Sequence, residues 1–367
     1  MSLDAALKNY EIWRDELDRD GASWYWKKHS FKEDSAVLNQ RLENFRSTDK
    51  KPLSDTLDDY RSKMSMQEMY DELCLQVDEG LIEELLENSI GNPPRENIIS
   101  RSGKELQATF NDLILISFAN KIFNALSTKQ RTSELSVLEI GGGYGGLAAK
   151  LKKLLPLVYI TIIDLPHAGL LQTYYLQKRF PSGRLNVLDY KVGAHLHGDA
   201  LNSSDFTVVP STKIDFLNQQ EFDLVINSRS FMEMDQKTIS RYFDLIQSRL
   251  KVGGLFFNCN RLWKNAGDRP TQIARYPYDE NWQLISLSTS FFQNNTVELL
   301  ARRTDKESAI FKSLIRRLPK TDYLIHRDKF QGLIEWVRPY VPTVLTVTYW
   351  KRIRWHHHFM NLRIRFQ

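Results

Sequence analysis

A glycine-rich run constrains the fold of this 367-residue chain more than any other feature. The run extends from Gly141 to Gly146, follows the mostly apolar residues 137–140, and has glycine at five of its six positions. Glycine costs entropy inside helices and strands, so this number exceeds what a simple turn requires. Gly141, Gly143 and Gly146 fit the G-x-G-x-x-G spacing of a strand-to-helix turn in α/β folds.

The sequence after residue 130 alternates between short apolar stretches and helical stretches. This pattern predicts a parallel sheet covered on both faces, and therefore a Rossmann-like α/β fold. The connection 288–295 is short and polar, which favours an antiparallel hairpin of the last two strands. The predicted strands are 137–140, 159–163, 206–209, 222–227, 255–258, 282–287 and 296–301, and the predicted helices are 147–155, 169–180 and 238–250.

Three regions differ in charge and pattern. Residues 1–130 are predicted to be helical, with a last helix over 106–126, and hold 17 basic and 24 acidic residues, a net charge of −7. Residues 131–303 are the predicted sheet domain. Residues 304–367 hold 13 basic and 5 acidic residues, a net charge of +8. This basic C-terminal extension indicates either an anionic partner, including peripheral contact with a membrane, or a solvated surface.

Composition excludes several protein classes. Hydrophobic residues make up 42% and charged residues 26% of the chain, which is ordinary for a globular protein. No apolar run approaches the roughly 18 residues of a membrane span, and the first residues lack the profile of a signal peptide. Cys74 and Cys259 lie too far apart in sequence to suggest a metal site or a disulfide framework. We therefore expect a cytoplasmic protein.

Two acidic residues beside the glycine run discriminate between cofactors. Asp164 ends the next predicted strand, 23 residues after Gly141, where a carboxylate can hold ribose hydroxyls, although it could also cap the following helix. Glu139 lies two residues before Gly141, where it would oppose the pyrophosphate of a nicotinamide dinucleotide. S-adenosyl-L-methionine carries an ammonium and a sulfonium instead, so this carboxylate favours it. A turn without a ligand is the remaining alternative.

The motifs resemble those of class I S-adenosylmethionine-dependent methyltransferases, and the fuller set resembles a bacterial family of sugar O-methyltransferases. The resemblance covers roughly residues 40–300 and implies a seven-stranded sheet, an N-terminal region over the acceptor, and a place in polysaccharide biosynthesis. The motifs are 42–46, 139–145, 163–166, 226–234 and 276–282. The donor-binding residues that it implies are Glu139, Gly141, Gly142, Gly143, Tyr144, Asp164, Leu165 and Asn227.

Three other functions compete with this one. The glycine run and Asp164 also resemble small-molecule O-methyltransferases acting on phenols or natural products, but residues 227–233 lack the histidine base of that group. An NAD-dependent sugar oxidoreductase fits the glycine pattern without fitting Glu139. A donor-binding scaffold subunit of a glycan-assembly complex would need no base at all.

Candidate acceptor-side residues follow the fourth strand of the predicted domain. Methyl transfer to a hydroxyl benefits from a base, and Glu233 is the preferred candidate, flanked by Asp235. Arg229 is a candidate partner for an acidic sugar or a sugar phosphate. Acidic residues also suit the first turn of a helix, so a structural use of this segment competes with catalysis.

Metal and nucleic acid are disfavoured by the sequence. His195 and His197 could share a face of a strand, but no cluster of carboxylates accompanies them, so we predict no metal. The fourth strand lacks an Asn/Asp-Pro-Pro motif for a flipped base, and the N-terminal region is acidic. We expect a sugar or glycan acceptor, either nucleotide- or lipid-linked, and the sequence leaves a homo-oligomer open.

Overall fold

The chain divides into two compact units. The first comprises Met1–Gly21 and Ser30–Leu217, and the second Ala22–His29 and Asn218–Gln367. The computed structural model describes residues 6–7, 9–12, 14–15, 35–48, 53, 64–86, 89–187, 203–264, 270–290 and 296–318.

Helices and a short hairpin precede the sheet strands of the first unit. Three of the helices begin at capping boxes, formed by Ser65 with Glu68, by Thr109 with Asp112 and by Ser127 with Gln130. Each cap satisfies amide groups that lack partners in the first turn, so the local sequence fixes where these helices begin. The elements are α1 Ser35–Arg41, a 3₁₀ turn Leu42–Asn44, α2 Met66–Leu73, α3 Glu79–Leu85, β1 Glu96–Ile99, β2 Glu105–Ala108, α4 Phe110–Ala125 and α5 Thr128–Arg131.

Four parallel strands follow in the first unit. They and their helices are β3 Leu135–Ile140, α6 Gly146–Leu154, β4 Val158–Asp164, α7 Pro166–Arg179, β5 Leu185–Val187, β6 Phe206–Pro210 and the 3₁₀ segment Ser211–Gln219. β4 pairs with β3 on one side and β6 on the other, and β5 pairs with β6. Because β3 and β4 are parallel neighbours, the loops that follow them lie at the same edge of the sheet.

The second unit combines parallel and antiparallel pairing. Its elements are β7 Phe222–Ser228, a 3₁₀ turn Phe231–Glu233, α8 Gln236–Arg249, β8 Leu250–Arg261, β9 Trp263–Lys264, β10 Thr271–Gln272, a 3₁₀ turn Ile273–Arg275, β11 Trp282–Thr289, β12 Thr296–Arg303 and α9 Ala309–Arg316. β7 pairs in parallel with β8, whereas β12 is antiparallel to both β8 and β11. The predicted C-terminal antiparallel hairpin, β11–β12, is thus confirmed. The pairings β3–β4, β4–β6, β5–β6 and β7–β8 are parallel, whereas β8–β12 and the short hairpins β1–β2 and β9–β10 are antiparallel.

The strand count differs from the expected seven. All seven predicted strands are present, and β5 adds an eighth. β5 has only three residues, too few for a periodic apolar pattern to reveal it. The helix predicted over 106–126 begins only at Phe110, because residues 105–108 form the second strand of the β1–β2 hairpin.

Other expectations concern the cysteines, a membrane span, the C-terminal extension and the histidines at 195 and 197. Cys74 and Cys259 are buried and form no disulfide. Among the helices of the described residues, none has both the length and the apolar composition to cross a membrane. The extension 304–367 starts with the expected helix, α9, but its residues from 319 onward lie outside the described part, as do His195 and His197.

Candidate functional site

The glycine run forms a tight turn between β3 and α6. Gly141, Gly143 and Gly145 have φ angles of 71°, 60° and 92°, which side chains rarely tolerate. The amide of Gly141 donates to the carbonyl of Ile163 at 2.8 Å, and the amide of Gly145 donates to the carbonyl of Gly142 at 3.0 Å. The backbone of the turn is therefore held both to β4 and to itself.

The Glu139 carboxyl group lies directly beside this turn. Glu139 ends up 2% exposed, although it is an acidic residue. A Cβ added to Gly142 would stand 3.2 Å from the Glu139 carboxyl carbon and 2.6 Å from Cγ2 of Ile162. Glycine at position 142 is thus required for the turn to approach the acidic side chain.

Asp164 lies at the end of β4 and binds the same turn. Its Oδ2 accepts a hydrogen bond from the amide of Gly143 at 2.9 Å, and its Oδ1 accepts from the amide of Leu165 at 2.7 Å. The N-cap of α7 is Leu165, with no side-chain cap, so Asp164 does not serve as the helix cap that the sequence offered as an alternative. Its carboxylate instead joins the end of β4 to the glycine turn.

Tyr144 contributes to the turn through its backbone, while its side chain packs in the N-terminal part of the first unit. The ring lies 4.9 Å from that of Tyr175 and 5.8 Å from that of Phe45, and the guanidinium of Arg46 lies 4.4 Å from its centre. Its hydroxyl accepts from Nδ2 of Asn111 at 3.1 Å. Phe45 and Arg46 belong to the motif 42–46, which therefore packs against the side chain of Tyr144 in the glycine turn.

Asn227, at the end of β7, takes part in a buried amide network of the second unit. Its Oδ1 accepts from the amide of Phe231 at 3.1 Å and from Nδ2 of Asn260 at 2.8 Å. Asn260 also donates to Oδ1 of Asn258, which in turn donates to the hydroxyl of Tyr278 at 2.8 Å. These hydrogen bonds hold the segment after β7 against β8. The side chain of Asn227 therefore has a structural role in this network.

Arg229 follows the same strand in an unusual backbone conformation. Its φ is 65°, a left-handed value that a non-glycine residue adopts at a cost of about 1 kcal/mol or more. The Arg229 amide donates to the carbonyl of Cys259 at 2.6 Å, which holds this geometry. Arg229 is half-buried, and it lies in a strained turn after β7 rather than in a helix or a strand.

Glu233 and Asp235 are close in sequence but differ in their surroundings. Glu233 is buried, and its Oε1 lies 2.5 Å from Nζ of Lys264, which is also buried. Asp235 is the N-cap of α8, and its Oδ1 accepts from the amide of Thr238 at 2.7 Å. The arrangement gives Glu233 a fixed cationic neighbour and gives Asp235 a structural task.

The tyrosines of the motif 276–282 belong to the core of the second unit. Tyr276 and Tyr278 are buried and pack against the ring of Phe243, at 5.7 Å and 4.7 Å between ring centres. Burial raises the pKa of both hydroxyls above the ordinary value of 10. Both phenols are therefore neutral at physiological pH, and their contribution is to packing.

His167 is buried in the first turn of α7, with 8% of its surface exposed. Burial lowers its pKa from 6.5 to about 4, so the imidazole is neutral at pH 7 and is a weak base. Because the unfolded chain binds the proton more readily, the free energy of unfolding should fall as the pH drops from 6.5 towards 4.

We expect this loss to be about 2–3 kcal/mol by pH 4.5, since each unit of pKa shift corresponds to about 1.4 kcal/mol. Urea unfolding of the wild type and of His167→Leu at pH 7 and pH 4.5 measures it. The decrease between the two pH values should be smaller in the variant by that amount. Equal decreases in both proteins would show that His167 is protonated in the folded state.

Sequence reasoning missed two residues of the site. Lys264 lies 31 residues after Glu233, and Gln172 lies below the glycine turn on α7 with both Asp164 and Gly143 as partners. Neither belongs to a local motif. No cluster of three or more metal-ligating side chains occurs among the described residues.

Comparison with known proteins adds structural likenesses only. No protein-family model matches the sequence, and no curated protein matches it. The chain spans 55–58% of the length of three similar solved structures, all of which are methyltransferases. They are the mitomycin 7-O-methyltransferase MmcR (13% identity, 53% of this chain and 57% of that one, TM-score 0.33), human N-acetylserotonin methyltransferase in complex with SAM (16%, 53% and 55%, 0.31), and an O-methyltransferase family 2 protein from Planctomyces limnophilus in complex with apigenin (11%, 52% and 58%, 0.34).

Proposed function

We propose that the protein is an S-adenosyl-L-methionine-dependent O-methyltransferase. The observation that carries the proposal is the buried acidic side chain of Glu139 beside a glycine turn that Asp164 holds from the neighbouring strand. A carboxylate in this place complements a ligand with an ammonium group and opposes one with a pyrophosphate. This argument favours the methyl donor over the nicotinamide dinucleotide of a sugar oxidoreductase.

The described residues fit this donor. A Cβ at Gly143 would meet no atom within 4 Å, so the turn presents bare backbone to open space where a nucleoside can approach. Asp164 would accept hydrogen bonds from the ribose hydroxyls, and the half-buried Leu165 would offer an apolar contact to the base. Glu139 would interact with the amino-acid end, directly or through water.

When bound, the donor would supply a methyl group on a sulfonium: the acceptor oxygen would form a bond to the methyl carbon as the carbon–sulfur bond breaks, and S-adenosyl-L-homocysteine would leave as a neutral thioether. The chain must then align the hydroxyl and remove its proton, for which Glu233 is the proposed general base. Its fixed distance from Lys264 keeps the carboxylate in one orientation. Arg229 would bind an anionic group of the acceptor.

We further propose a sugar or glycan as the acceptor, either nucleotide- or lipid-linked. The support is the resemblance of the motifs, together with Arg229, which precedes the proposed base by four residues in the chain. A phenolic or natural-product acceptor is the second candidate, and the absence of a histidine in residues 227–233 argues against it. Mass spectrometry of glycans from cells with and without the protein should show a 14-dalton difference.

Calorimetric titration with S-adenosyl-L-homocysteine, the reaction product, tests the donor assignment. We expect binding by the wild type and a loss of about 10–100-fold in affinity for Asp164→Ala, since hydrogen bonds to a charged group contribute about 1.5–3 kcal/mol. NADH is titrated in parallel. A folded wild type that binds NADH but not the homocysteine compound would reject the proposal.

A pair of glycine substitutions separates ligand space from backbone strain. Gly143 and Gly103 both have positive φ, 60° and 85°, and a Cβ at either position would meet no atom within 4 Å. Gly143→Ala and Gly103→Ala should each destabilise the fold by about 1 kcal/mol. Only Gly143→Ala should lower the affinity for S-adenosyl-L-homocysteine, by 10-fold or more, because its methyl group would occupy the space of the ligand. Equal affinities in the two variants would place the ligand elsewhere.

A further inference from the structure

Gln172, on α7, lies fully buried beneath the glycine turn, with 0% of its surface exposed. Its Nε2 donates to the carbonyl of Gly143 at 2.9 Å and to Oδ2 of Asp164 at 3.0 Å. The same Asp164 oxygen accepts from the amide of Gly143 at 2.9 Å. Gln172, Gly143 and Asp164 therefore form a closed triangle of three hydrogen bonds.

The chemistry of this triangle fixes the orientation of the Gln172 amide. Both partners of its nitrogen are acceptors, a carbonyl and a carboxylate, so only an NH₂ group can face them. The two hydrogens of one amide nitrogen match the two acceptors. Because the hydrogen bond to Asp164 has a charged acceptor, it is also the stronger kind.

Buried amides of this type restrict the groups that they bind. Asp164 ends β4 and is half-buried, and Gln172 adds a buried side-chain anchor to the backbone amides of Gly143 and Leu165 that bind its carboxylate. The link to Gln172 sets the rotation of the carboxylate and the position of the Gly143 peptide together. Gln172 itself is too deeply buried to touch a ligand above the turn.

We propose that Gln172 is a positioning residue for the ribose of the methyl donor, acting through Asp164 and Gly143. The inference rests on the proposed function, because it presumes that a nucleoside lies over this turn. It explains why the amide side chain of Gln172 is fully buried on α7 next to the glycine turn. The consequence is that Gln172 contributes much less to donor affinity when Asp164 is absent, since only its hydrogen bond to the Gly143 carbonyl would remain.

The first test compares ligand affinities by calorimetry. Gln172→Met preserves the length of the side chain and removes its hydrogen-bond donor. It should weaken S-adenosyl-L-homocysteine binding by about 10-fold, which corresponds to one charge-assisted hydrogen bond. In the Asp164→Ala background the same change should cost less than 2-fold. A full 10-fold loss in both backgrounds would overturn the proposal, since Gln172 would then act independently of Asp164.

A matched control comes from the next residue on α7. Thr173 is also fully buried, but its hydroxyl donates to the carbonyl of Gly169 within the helix. Thr173→Val removes that hydrogen bond without touching the triangle, so affinity should stay within 2-fold of the wild type. If Thr173→Val weakens binding as much as Gln172→Met, general disturbance of α7 explains both and the proposal fails.

A charge variant supplies a readout that packing alone would not produce. Gln172→Glu places a second carboxyl group beside Asp164, so at pH 8 the two charges should repel and affinity should fall by 10-fold or more. At pH 5.5 a shared proton restores one hydrogen bond, and most of the affinity should return. The wild type, titrated at both pH values, should change by less than 2-fold.

The outcomes of these titrations separate the two proposals. Wild-type protein that binds no S-adenosyl-L-homocysteine contradicts the proposed function. Wild-type protein that binds it, with a Gln172→Glu variant whose affinity does not depend on pH, contradicts the role of Gln172 alone.

Discussion

Replacing Asp112 by alanine should lower the free energy of unfolding by about 3–5 kcal/mol, because the change breaks a buried ion pair. Asp112 Oδ1 lies 2.9 Å from Nζ of Lys150, and each side chain has 1% of its surface exposed. Lys150 also donates to the carbonyl of Leu85 at 3.1 Å, but that carbonyl carries no net charge. The variant therefore loses both the ion pair with Lys150 and the hydrogen bonds of the capping box.

The same pair connects the proposed donor site to the N-terminal part of the first unit. Asp112 lies in the first turn of α4, where it completes the capping box with Thr109. Lys150 lies on α6, the helix that begins at the end of the glycine turn. We therefore expect Asp112→Ala to weaken S-adenosyl-L-homocysteine binding as well as stability.

Urea unfolding followed by circular dichroism measures the loss of stability, and two further variants serve as controls. Asp223 and Lys251 form an ion pair of similar length, 3.0 Å, but are partly exposed, so Asp223→Ala should cost at most about 1 kcal/mol. The double variant Asp112→Leu with Lys150→Met should recover most of the loss, since an apolar pair replaces the charges. Equal costs for Asp112→Ala and Asp223→Ala would show that water reaches Lys150.

Local sequence patterns were sufficient for all strands of the sheet except the three-residue β5, and for the glycine turn. Strands such as β4 are continuous apolar runs, and the turn is identified by residue types at fixed spacing, so both follow from neighbouring residues. The position of Asp164 follows in the same way, because it ends the strand after the turn. Its partners in the turn could be anticipated only from the parallel pairing of β3 with β4.

Contacts between residues that are far apart in the sequence could not be predicted from it. Asp112 and Lys150 are 38 residues apart, and their pairing depends on how α4 packs against α6. Gln172 resembles any other polar residue of an amphipathic helix until its partners are seen. Asp235 illustrates a second difficulty: the sequence gives it both a catalytic and a structural interpretation, and only the structure shows that its side chain caps α8.

The largest effect on activity is expected at Glu233. Glu233→Gln keeps the size of the side chain and removes its ability to take up a proton, so the turnover number should fall by about 10²–10⁴-fold. The affinity for S-adenosyl-L-homocysteine should stay within 2-fold, because no part of the proposed donor site includes Glu233. Turnover is measured with a glycan acceptor identified by the 14-dalton difference.

The structural neighbours of Glu233 provide the controls. Asp235→Asn should leave turnover nearly unchanged, because asparagine caps a helix as well as aspartate does. Lys264→Met removes the cation 2.5 Å from the carboxylate, and turnover should fall because the side chain loses its fixed orientation.

Three results would contradict this role for Glu233. Full activity of Glu233→Gln would exclude proton uptake at that side chain and leave its ion pair with Lys264 as a structural feature. A loss of turnover in Asp235→Asn equal to that in Glu233→Gln would instead indicate that the whole turn before α8 is disturbed. A parallel loss of donor affinity in Glu233→Gln would assign the residue to binding, since a general base acts on the acceptor hydroxyl and leaves the affinity for the donor unchanged.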